Sequence, residues 1–501
     1  MIGKEKMMNE LSHIGSPLGR TTHYIDGRWS EPGGRTFADT NPYNGELVAE
    51  IAAGGRAEAE AAVAAAAAAF PAWAAMPPAE RQRLFLKAAD ITERRLEDAV
   101  RLMAVEGGAS RTFAAFQVRL SAAMLRQAAS WGYLPFGDMM RSDIPGRVAL
   151  VARKPLGVVA GFTPWNGAFY LAWRTFLLPM AFGNTTVIKP SEEAPMSAGL
   201  FHAEILEEAG FPNGSFNVVT HAPGEAAAIA DVFFESRAVR CINFTGSDKT
   251  ARILGERAGR ALKRMVMELG GFNPTIVLGD ADIDHAVNAV AFGAFLHQGQ
   301  VCMNTRKVYV DRAIHDEFVE KLVAKTGALK SGDPTDPKVI IGPLINLRAV
   351  QQTEERVRDA VERGARIAIG GKANGRVFEP TILTDVPEDA ICTTGCEETF
   401  GPILVIERFA DAEQALAQAQ NTPYGLSAAI MTRDHARGLD MAQRFDTGIV
   451  HVNAPTMASE ASLPVGGVKD SGWGRSGHYA VEDFTEIRLT TMSQGVGTYP
   501  F

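Results

Sequence analysis

Cysteine is scarce in this chain, with four residues among 501. Such a low number excludes a disulfide scaffold and is typical of a protein from a reducing compartment. Cys392 and Cys396 form a C-x3-C pair without a nearby histidine, whereas structural zinc sites need closer cysteine pairs in two sets. We therefore expect no bound metal.

The chain also lacks an excess of positive charge and a long apolar run. Its net charge is -8 and its pI about 5.8, which argues against nucleic acid and anionic membrane surfaces as partners. The polar N-terminal stretch contains no apolar signal-peptide segment. The alanine-rich residues 57–75 are interrupted by Glu58, Glu60 and Pro71, which predicts a helix of a globular domain rather than a membrane span. By elimination, we expect a cytoplasmic protein.

The chain also lacks the usual dinucleotide-binding fingerprint, because no G-x-G-x-x-G sequence follows a predicted strand. Apolar and helical segments nevertheless alternate from residue 157, and a second alternating block begins at residue 275. This alternation predicts an α/β fold with two doubly wound parallel sheets and a boundary near Glu268. The predicted strands of the first block cover residues 157–162, 185–189, 216–220 and 241–245.

Three polar motifs follow these predicted strands directly. They are TPWN at residues 163–166, KPSE at residues 189–192 and FTGS at residues 244–247. Doubly wound sheets bind their ligands outside the carboxyl ends of the strands. The three motifs therefore predict a ligand site at one edge of the first sheet.

Glu268 and Cys302 are the candidate catalytic residues. Each lies close to glycines, in the segments MELGGFNP and HQGQVC. A thiol can act as a nucleophile and a partly buried carboxylate as its base or as the base for water. A lone cysteine is more often an inert core residue, so the pair alone does not decide between the two interpretations.

The order of the motifs along the chain resembles that of a known protein superfamily. PWN, KPSE, FTGS, ELGG, GQVC, EETFGP at residues 397–402 and GGVKDSGWGR at residues 466–475 follow one another as in the aldehyde dehydrogenase superfamily. The chain resembles that superfamily over essentially its whole length past Thr22.

This resemblance implies a covalent mechanism. Cys302 would add to the aldehyde carbon, and Asn166 would donate a hydrogen bond to the resulting oxyanion together with the backbone N–H of Cys302. Glu268 would activate the water that hydrolyses the thioester. His297 occupies a position that does not supply the base in the family, and we interpret it as a half-buried imidazole.

The resemblance also implies a nicotinamide cofactor. Lys189 and Glu192 would hydrogen-bond the adenosine ribose, and the carboxylate favours NAD over NADP because it repels a 2′-phosphate. Gly246 and Ser247 open a helix whose N-terminus suits a pyrophosphate. Further expected cofactor contacts are Trp165 and Gly224 on the adenine side, Glu398 and Phe400 at the nicotinamide ribose and ring, and Phe244 and Leu269.

Within the superfamily the chain is most similar to the salicylaldehyde, vanillin and benzaldehyde dehydrogenases, in residues 153–166, 297–303, 451–456 and 499–501. An aromatic aldehyde is the expected substrate, with Arg174 facing its ring or a polar substituent. Gly167 and Val465 replace the bulkier proline-containing stretch and phenylalanine that are common in the family, which leaves a substrate name open. The full set of expected substrate contacts is Gly167, Tyr170, Arg174, Val301 and Thr456.

Two alternatives remain open. The same chemistry suits aliphatic aldehydes or semialdehydes, and a thiol hydrolase without cofactor is a candidate of another class. The KPSE and FTGS motifs argue against the hydrolase, because a hydrolase needs no binding site for ribose and pyrophosphate.

The predicted organisation has three parts. Residues 1–135 and 157–267 form an NAD-binding domain, residues 268–470 a catalytic domain, and residues 136–156 with 478–501 an oligomerisation arm. Strands in the arm need a partner to cover their edges, so the resemblance favours a homodimer or homotetramer.

Overall fold

The computed structural model describes residues 18–31, 33–134, 136–392, 397–495 and 499–501. Residues 1–17, where a signal peptide was not expected, and Cys396 lie outside the described residues. Within the described part no helix is both long enough and apolar enough to cross a lipid bilayer.

The strands follow in chain order. They are β1 (Tyr24–Ile25), β2 (Arg28–Trp29), β3 (Thr36–Thr40), β4 (Leu47–Ala52), β5 (Gly137–Met140), β6 (Arg147–Pro155), β7 (Val158–Thr163), β8 (Thr185–Pro190), β9 (Phe216–Val218), β10 (Val239–Thr245), β11 (Arg264–Glu268), β12 (Thr275–Val277), β13 (Lys307–Asp311), β14 (Arg366–Ile369), β15 (Ala373–Asn374), β16 (Val377–Phe378), β17 (Thr381–Thr384), β18 (Ile403–Phe409), β19 (Tyr424–Gly425), β20 (Ser427–Met431), β21 (Ile449–Val452), β22 (Val468–Lys469), β23 (Gly472–Trp473) and β24 (Thr485–Ser493).

The helices are numbered separately. They are α1 (Arg56–Ala74), α2 (Pro78–Arg94), α3 (Leu96–Gly107), α4 (Arg111–Trp131), α5 (Ala168–Ala181), α6 (Phe201–Ala209), α7 (Ala226–Glu235), α8 (Asp248–Arg260), α9 (Ile283–Phe295), α10 (His315–Gly327), α11 (Leu347–Glu362), α12 (Ala412–Gln420), α13 (His435–Arg444) and α14 (Val481–Phe484), with short helical turns at Met196–Leu200, Leu296–Gly299 and Gly477–Ala480.

The first large sheet has the strand order β2-β1-β9-β8-β7-β10-β11-β23. Strands β9, β8, β7, β10 and β11 are parallel, and the order reverses between β7 and β10. A short hairpin, β1 and β2, extends one edge of this sheet through a turn in which Asp26 and Gly27 both have positive φ. That turn was predicted from the Asp-Gly pair, since such turns favour these residues.

Both faces of this sheet are buried. In β7, Val158 and Ala160 pack into one apolar cluster with α1, α7 and α8, whereas Val159 packs into another that includes α5. Alternate residues of a strand point to opposite faces, so helices on the two sides cover successive side chains. This double burial explains why β7 is an uninterrupted apolar run.

The second large sheet has the order β14-β17-β18-β13-β12-β20-β21 and is parallel except for β14 against β17. Its residues also alternate between two clusters, with Val277 on one face and Ile276 on the other. The first sheet's β11 ends at Glu268 and the second sheet begins with Thr275 in β12. This change of sheet falls at the boundary expected near Glu268, while the division into three domains stays a prediction.

The segment predicted as an arm forms a sheet of its own, in the order β24-β6-β5. The antiparallel pair of β5 and β6 was predicted around residues 145–146, and β24 adds along the other side of β6. Ile487 and Leu489 on β24 are each 63% exposed, and Met139 on β5 is 78% exposed. This sheet therefore presents apolar side chains at its surface.

The predicted strands and helices of the first sheet are present with small shifts at their ends. The second sheet was only partly predicted, because β14, β17, β18, β20 and β21 were not identified from the sequence. Short buried strands give continuous apolar runs, and periodicity alone does not distinguish such runs from a buried helix.

Candidate active site

A cavity of about 260 Å³ opens where the two large sheets meet. It lies outside the carboxyl ends of β7, β10 and β11, at the point where the strand order of the first sheet reverses, as expected for a doubly wound sheet. Its lining residues are Pro164, Trp165, Asn166, Leu171, Thr245, Gly246, Ser247, Glu268, Leu269, Gly270, Cys302, Glu398 and Phe400. Cys302, Glu268 and Asn166, predicted from separate motifs, thus face one space.

The loop that carries Cys302 begins with an unusual turn. His297, Gln298 and Gly299 all have positive φ, between 52° and 69°, directly after α9. Side chains at such angles are strained, so the turn must be held by its surroundings. A side chain at Gly299 would overlap the carbonyl oxygen of Gly401. Glycine is therefore required here for close approach as well as for its backbone angle.

The backbone carbonyl of Cys302 is fixed by side chains. It accepts a hydrogen bond from Asn273 Nδ2 at 2.7 Å and another from Arg306 Nη1 at 3.3 Å. Arg306 also donates to Glu398 Oε1 at 2.8 Å. These contacts hold the loop against the segments that carry the other cavity residues.

The Cys302 thiol is protonated at neutral pH in this environment. Burial raises its pKa to about 12, and the carboxylates of Glu268 and Glu398 add to the effect. The guanidinium groups of Arg174 and Arg306 oppose it. Because the thiolate is the nucleophilic form, attack by this thiol requires a base.

The side chain of Asn166 lies against the same loop. Its Nδ2 donates to the carbonyl of Gln300 at 3.0 Å, two residues before Cys302. An amide nitrogen carries two N–H groups, and this bond uses one of them. Asn166 is therefore fixed beside the thiol with donor capacity that a substrate oxygen can use.

The carboxylate of Glu268 is bound on one side. Its Oε2 accepts a hydrogen bond from Arg174 Nη2 at 2.8 Å, while its buried Oε1 has no partner among the described residues. Arg174 was expected to face the ring of the substrate or a polar substituent on it. The structure instead places its guanidinium in a buried ion pair with the carboxylate, and contact with a substrate stays a prediction.

The KPSE motif lies beside a buried histidine. The Nδ1–H of His221 donates to the carbonyl of Ala222 at 2.9 Å, so Nε2 is free to accept from the Lys189 ammonium at 2.7 Å. Glu192 Oε2 lies 3.7 Å from the same imidazole. Burial lowers the pKa of Lys189 to about 8, against the opposing effect of Glu192. The sequence analysis did not identify His221, which lies just after the carboxyl end of β9.

The expected cofactor residues fit a nucleotide. Ser247 caps α8 by accepting from the backbone N–H of Thr250, and a helix N-terminus suits a phosphate. At Gly246 a side chain would collide with the Phe244 ring, so glycine leaves the backbone uncovered by a side chain at this point. Trp165 and Phe400 meet edge to face, with ring centroids 5.5 Å apart, and form an apolar wall. Gly224 is exposed, with open space where a side chain would be.

Other expected residues lie around the cavity rather than in its lining. Thr456 is fully buried, and its hydroxyl donates to the carbonyl of Met303 at 2.7 Å. Thr456 therefore supports the Cys302 loop through the residue that follows the thiol. Its hydroxyl is engaged there, and the expected contact of Thr456 with the substrate is not made in this arrangement. Tyr170 and Val301 are packed against the apolar core beside the cavity. A side chain at Gly167 would lie 2.9 Å from Leu171 Cδ1.

Some lining residues were not predicted. Thr245 and Gly270 stand inside the FTGS and ELGG motifs, so the motifs themselves contained the signal. Leu171 lies one helical turn after Gly167 on α5 and became visible only when the helix was placed against the sheet.

A reactive thiol beside the ligand edge of a doubly wound sheet is typical of enzymes that form a covalent adduct next to a bound nucleotide. The comparison with known proteins gives the family. The chain belongs to the aldehyde dehydrogenase family, whose model matches residues 29–490. It is thus an oxidoreductase that acts on aldehydes and uses NAD(P).

Individual relatives are similar over nearly their whole length. A vanillin dehydrogenase from Pseudomonas fluorescens is 45% identical over 468 residues, which cover 93% of this chain and 96% of the relative. The succinate-semialdehyde dehydrogenase [NADP(+)] GabD of Escherichia coli is 37% identical, covering 94% and 98%. A crystal structure of a salicylaldehyde dehydrogenase from Pseudomonas putida G7, complexed with salicylaldehyde, superimposes with a TM-score of 0.93 at 37% identity, covering 96% and 99%. These comparisons confirm the fold class and the family predicted from the motifs.

The turn before Cys302 gives a stability prediction. Gly299→Ala introduces both an unfavourable φ and an overlap with the Gly401 carbonyl, whereas Gly45→Ala introduces only the unfavourable φ of 77°, with open space around it. We expect Gly45→Ala to cost about 1 kcal/mol of the free energy of unfolding and Gly299→Ala clearly more. Urea titration of both variants measures the difference, and equal losses would contradict the close packing at Gly299.

Proposed function

We propose that this protein oxidises an aromatic aldehyde to the carboxylic acid with NAD, through a covalent adduct on Cys302. The observation that carries the proposal is the convergence of Cys302, Asn166 and a free oxygen of Glu268 on one cavity. The buried oxygen of Glu268 that has no partner among the described residues is suited to accept a proton from the water that completes the reaction.

The first half of the reaction forms and oxidises the adduct. The thiol proton passes to solvent in the cavity, and the sulfur of Cys302 bonds to the carbonyl carbon, whose oxygen becomes an oxyanion. Asn166 and the backbone N–H of Cys302 stabilise that oxygen, and each such donor is typically worth about 3 kcal/mol of barrier. NAD(P), when bound, accepts the hydride. The adduct is then a thioester.

In the second half, Glu268 accepts a proton from a water molecule whose oxygen bonds to the thioester carbon. The carbon–sulfur bond breaks, Cys302 leaves as a thiolate, and the carboxylic acid is released. Glu268 then returns this proton to the Cys302 thiolate, which restores the resting site.

Several features support an aromatic substrate. Trp165, Phe400, Leu171 and Leu269 give the cavity a mostly apolar lining next to Cys302, which suits a ring. The small Gly167 leaves room for Leu171 at this wall. The relatives named for vanillin and salicylaldehyde point in the same direction.

The preference for NAD is supported by Glu192. Its carboxylate lies within 3.7 Å of His221 and beside Lys189, where the adenosine ribose is expected. A carboxylate accepts hydrogen bonds from two free hydroxyls and repels a 2′-phosphate. Because Lys189 can attract a phosphate, use of NADP at a lower rate is compatible with the site.

The semialdehyde alternative keeps the same mechanism and is favoured by the similarity to the E. coli enzyme. A substrate of that class carries a carboxylate in addition to its aldehyde, and this carboxylate requires a cationic partner. The buried ion pair of Arg174 with Glu268 leaves this guanidinium already neutralised, and this argues for the uncharged ring.

We also propose that the protein is a homodimer or a dimer of dimers, located in the cytoplasm. The exposed apolar side chains of β24 and β5 lie on the outer strands of a separate sheet, and such edges require a partner. A second copy of the chain offers the same surface by symmetry. A reducing compartment suits the free thiols of Cys241, Cys302 and Cys392.

The catalytic roles are tested by two substitutions. Cys302→Ala should abolish aldehyde oxidation while NAD binding, followed by protein fluorescence, is retained. Glu268→Gln should retain the fold, permit one burst of NADH per site and then stall, because the base for hydrolysis is lost. Sustained NADH formation by the Cys302 variant would contradict its assignment as the nucleophile.

The substrate and cofactor are tested by a turnover screen. NADH or NADPH absorbance would be followed with benzaldehyde, hydroxy- and methoxybenzaldehydes, short aliphatic aldehydes and succinic semialdehyde. We expect the highest kcat/KM with ring aldehydes and NAD. A preference for succinic semialdehyde with NADP would favour the alternative, and inactivity with every aldehyde would contradict the proposed function.

The arm is tested by charge on its exposed face. Ile487→Asp combined with Leu489→Asp should reduce the molar mass measured by light scattering after gel filtration, because two buried carboxylates would oppose association. Thr490→Asp on the opposite face of β24 is the matched control. An unchanged mass in the double variant would contradict the arm as the interface.

A further inference from the structure

We propose that Arg174 is a positioning residue that holds Glu268 in place as the base for thioester hydrolysis. The inference rests on the proposed function and goes beyond it, because it assigns a role in the reaction to a side chain that was expected only to contact the substrate.

The first support is the geometry of the pair. Arg174 lies on α5 and Glu268 is the last residue of β11, and their side chains are only 11% and 6% exposed. Arg174 Nη2 lies 2.8 Å from Glu268 Oε2 and also donates to the carbonyl of Val465 at 3.1 Å. Because one nitrogen bonds to two fixed acceptors, the guanidinium is held in one place and holds the carboxylate with it.

The second support is the inequality of the two carboxylate oxygens. Oε2 is engaged by Arg174, whereas Oε1 is buried and has no partner in the described part of the chain. An unpaired buried acceptor is costly and calls for an explanation. A role as the oxygen that receives the proton of the attacking water provides one, since that oxygen must be unoccupied until water arrives.

The third support is the charge around the pair. The titratable groups that face Glu268 are Arg174 and Tyr170 from α5 and Cys302 from its loop. Asp483 on α14 faces Arg174 from the other side. Arg174 is the cation among these groups, and its ion pair with Glu268 holds the carboxylate in place beside Cys302.

The step that depends on this arrangement is hydrolysis. The water oxygen bonds to the thioester carbon, its proton passes to Glu268 Oε1, and the carbon–sulfur bond breaks with Cys302 as the leaving thiolate. Arg174 touches none of the reacting atoms in this step. It acts through the carboxylate, by fixing its position.

A role in hydrolysis differs measurably from contact with a substrate ring. Loss of a substrate contact raises KM for ring aldehydes and leaves small aliphatic aldehydes unaffected. Loss of a positioned base lowers kcat for every aldehyde, and NADH formed in the first turnover appears before the slow step.

The experiment uses the full-length protein with Arg174→Gln and Arg174→Lys, in stopped-flow measurements of NADH with a ring aldehyde and with an aliphatic aldehyde. For Arg174→Gln we expect a burst approaching one NADH per site and then a steady rate lower by about tenfold or more, with KM little changed. Arg174→Lys should restore part of the rate.

The matched control is Arg81→Gln. Arg81 is also a buried arginine, but it donates to the backbone carbonyls of Trp73 and Ala181, away from the cavity. We expect this variant to lower thermal stability without changing the ratio of burst to steady rate. Combining Arg174→Gln with Glu268→Gln should slow the steady rate no further than Glu268→Gln alone, because both changes remove the same base.

The outcomes separate the inference from the proposed function. Wild-type kinetics in both Arg174 variants, or a change in KM for ring aldehydes alone, would overturn the positioning role while leaving the proposed function intact. If Arg174→Gln does not fold, Arg174→Lys decides: a slower steady rate at unchanged KM supports the role, and normal kinetics contradicts it. A wild-type protein that oxidises no aldehyde contradicts the proposed function itself.

Discussion

The position of Cys302 relative to Glu268 depends on the side chain of Asn273. This residue, which is buried and has a positive φ, ends the glycine-rich segment that follows Glu268. Its Nδ2 donates to the carbonyls of Cys302 and Asn304, and its Oδ1 accepts from the backbone N–H of Ser427 at 3.2 Å. One amide thus joins the end of the first sheet, the loop of the thiol and β20 of the second sheet. The cavity between the sheets keeps its shape because this connection is rigid and fully satisfied.

The site combines charges that would be unfavourable alone. Glu268 and Glu398 both raise the pKa of the buried Cys302 thiol, and each carboxylate is paired with an arginine, Arg174 or Arg306. Buried charges persist in proteins when they are paired and hydrogen-bonded, and removal of one partner is costly. The two ion pairs therefore allow a thiol, two carboxylates and an apolar substrate wall to share a small volume. Reactivity is held back until a base removes the proton.

Much of the first sheet was predictable, because its strands are long apolar runs that end in polar motifs, and the same motifs identified Cys302, Glu268 and Asn166. The Arg174–Glu268 pair was not predictable, since it joins residues 94 positions apart through the packing of α5 on the sheet. Local sequence also gave no sign that Thr456 faces inward to Met303. What sequence patterns reveal is the order of segments and their apolar faces, whereas side-chain partners depend on three-dimensional packing.

The position of strand β23 affects the order in which the first sheet is completed during synthesis. Gly472 and Trp473 pair with Glu268 and Met267, so the edge of the first sheet beside the catalytic carboxylate is covered by residues near the end of the chain. During synthesis this edge stays open until almost the whole polypeptide has left the ribosome. An exposed strand edge invites pairing with other chains. The nascent protein therefore exposes an open strand edge at its future active centre, and early release of the chain leaves that edge without its cover.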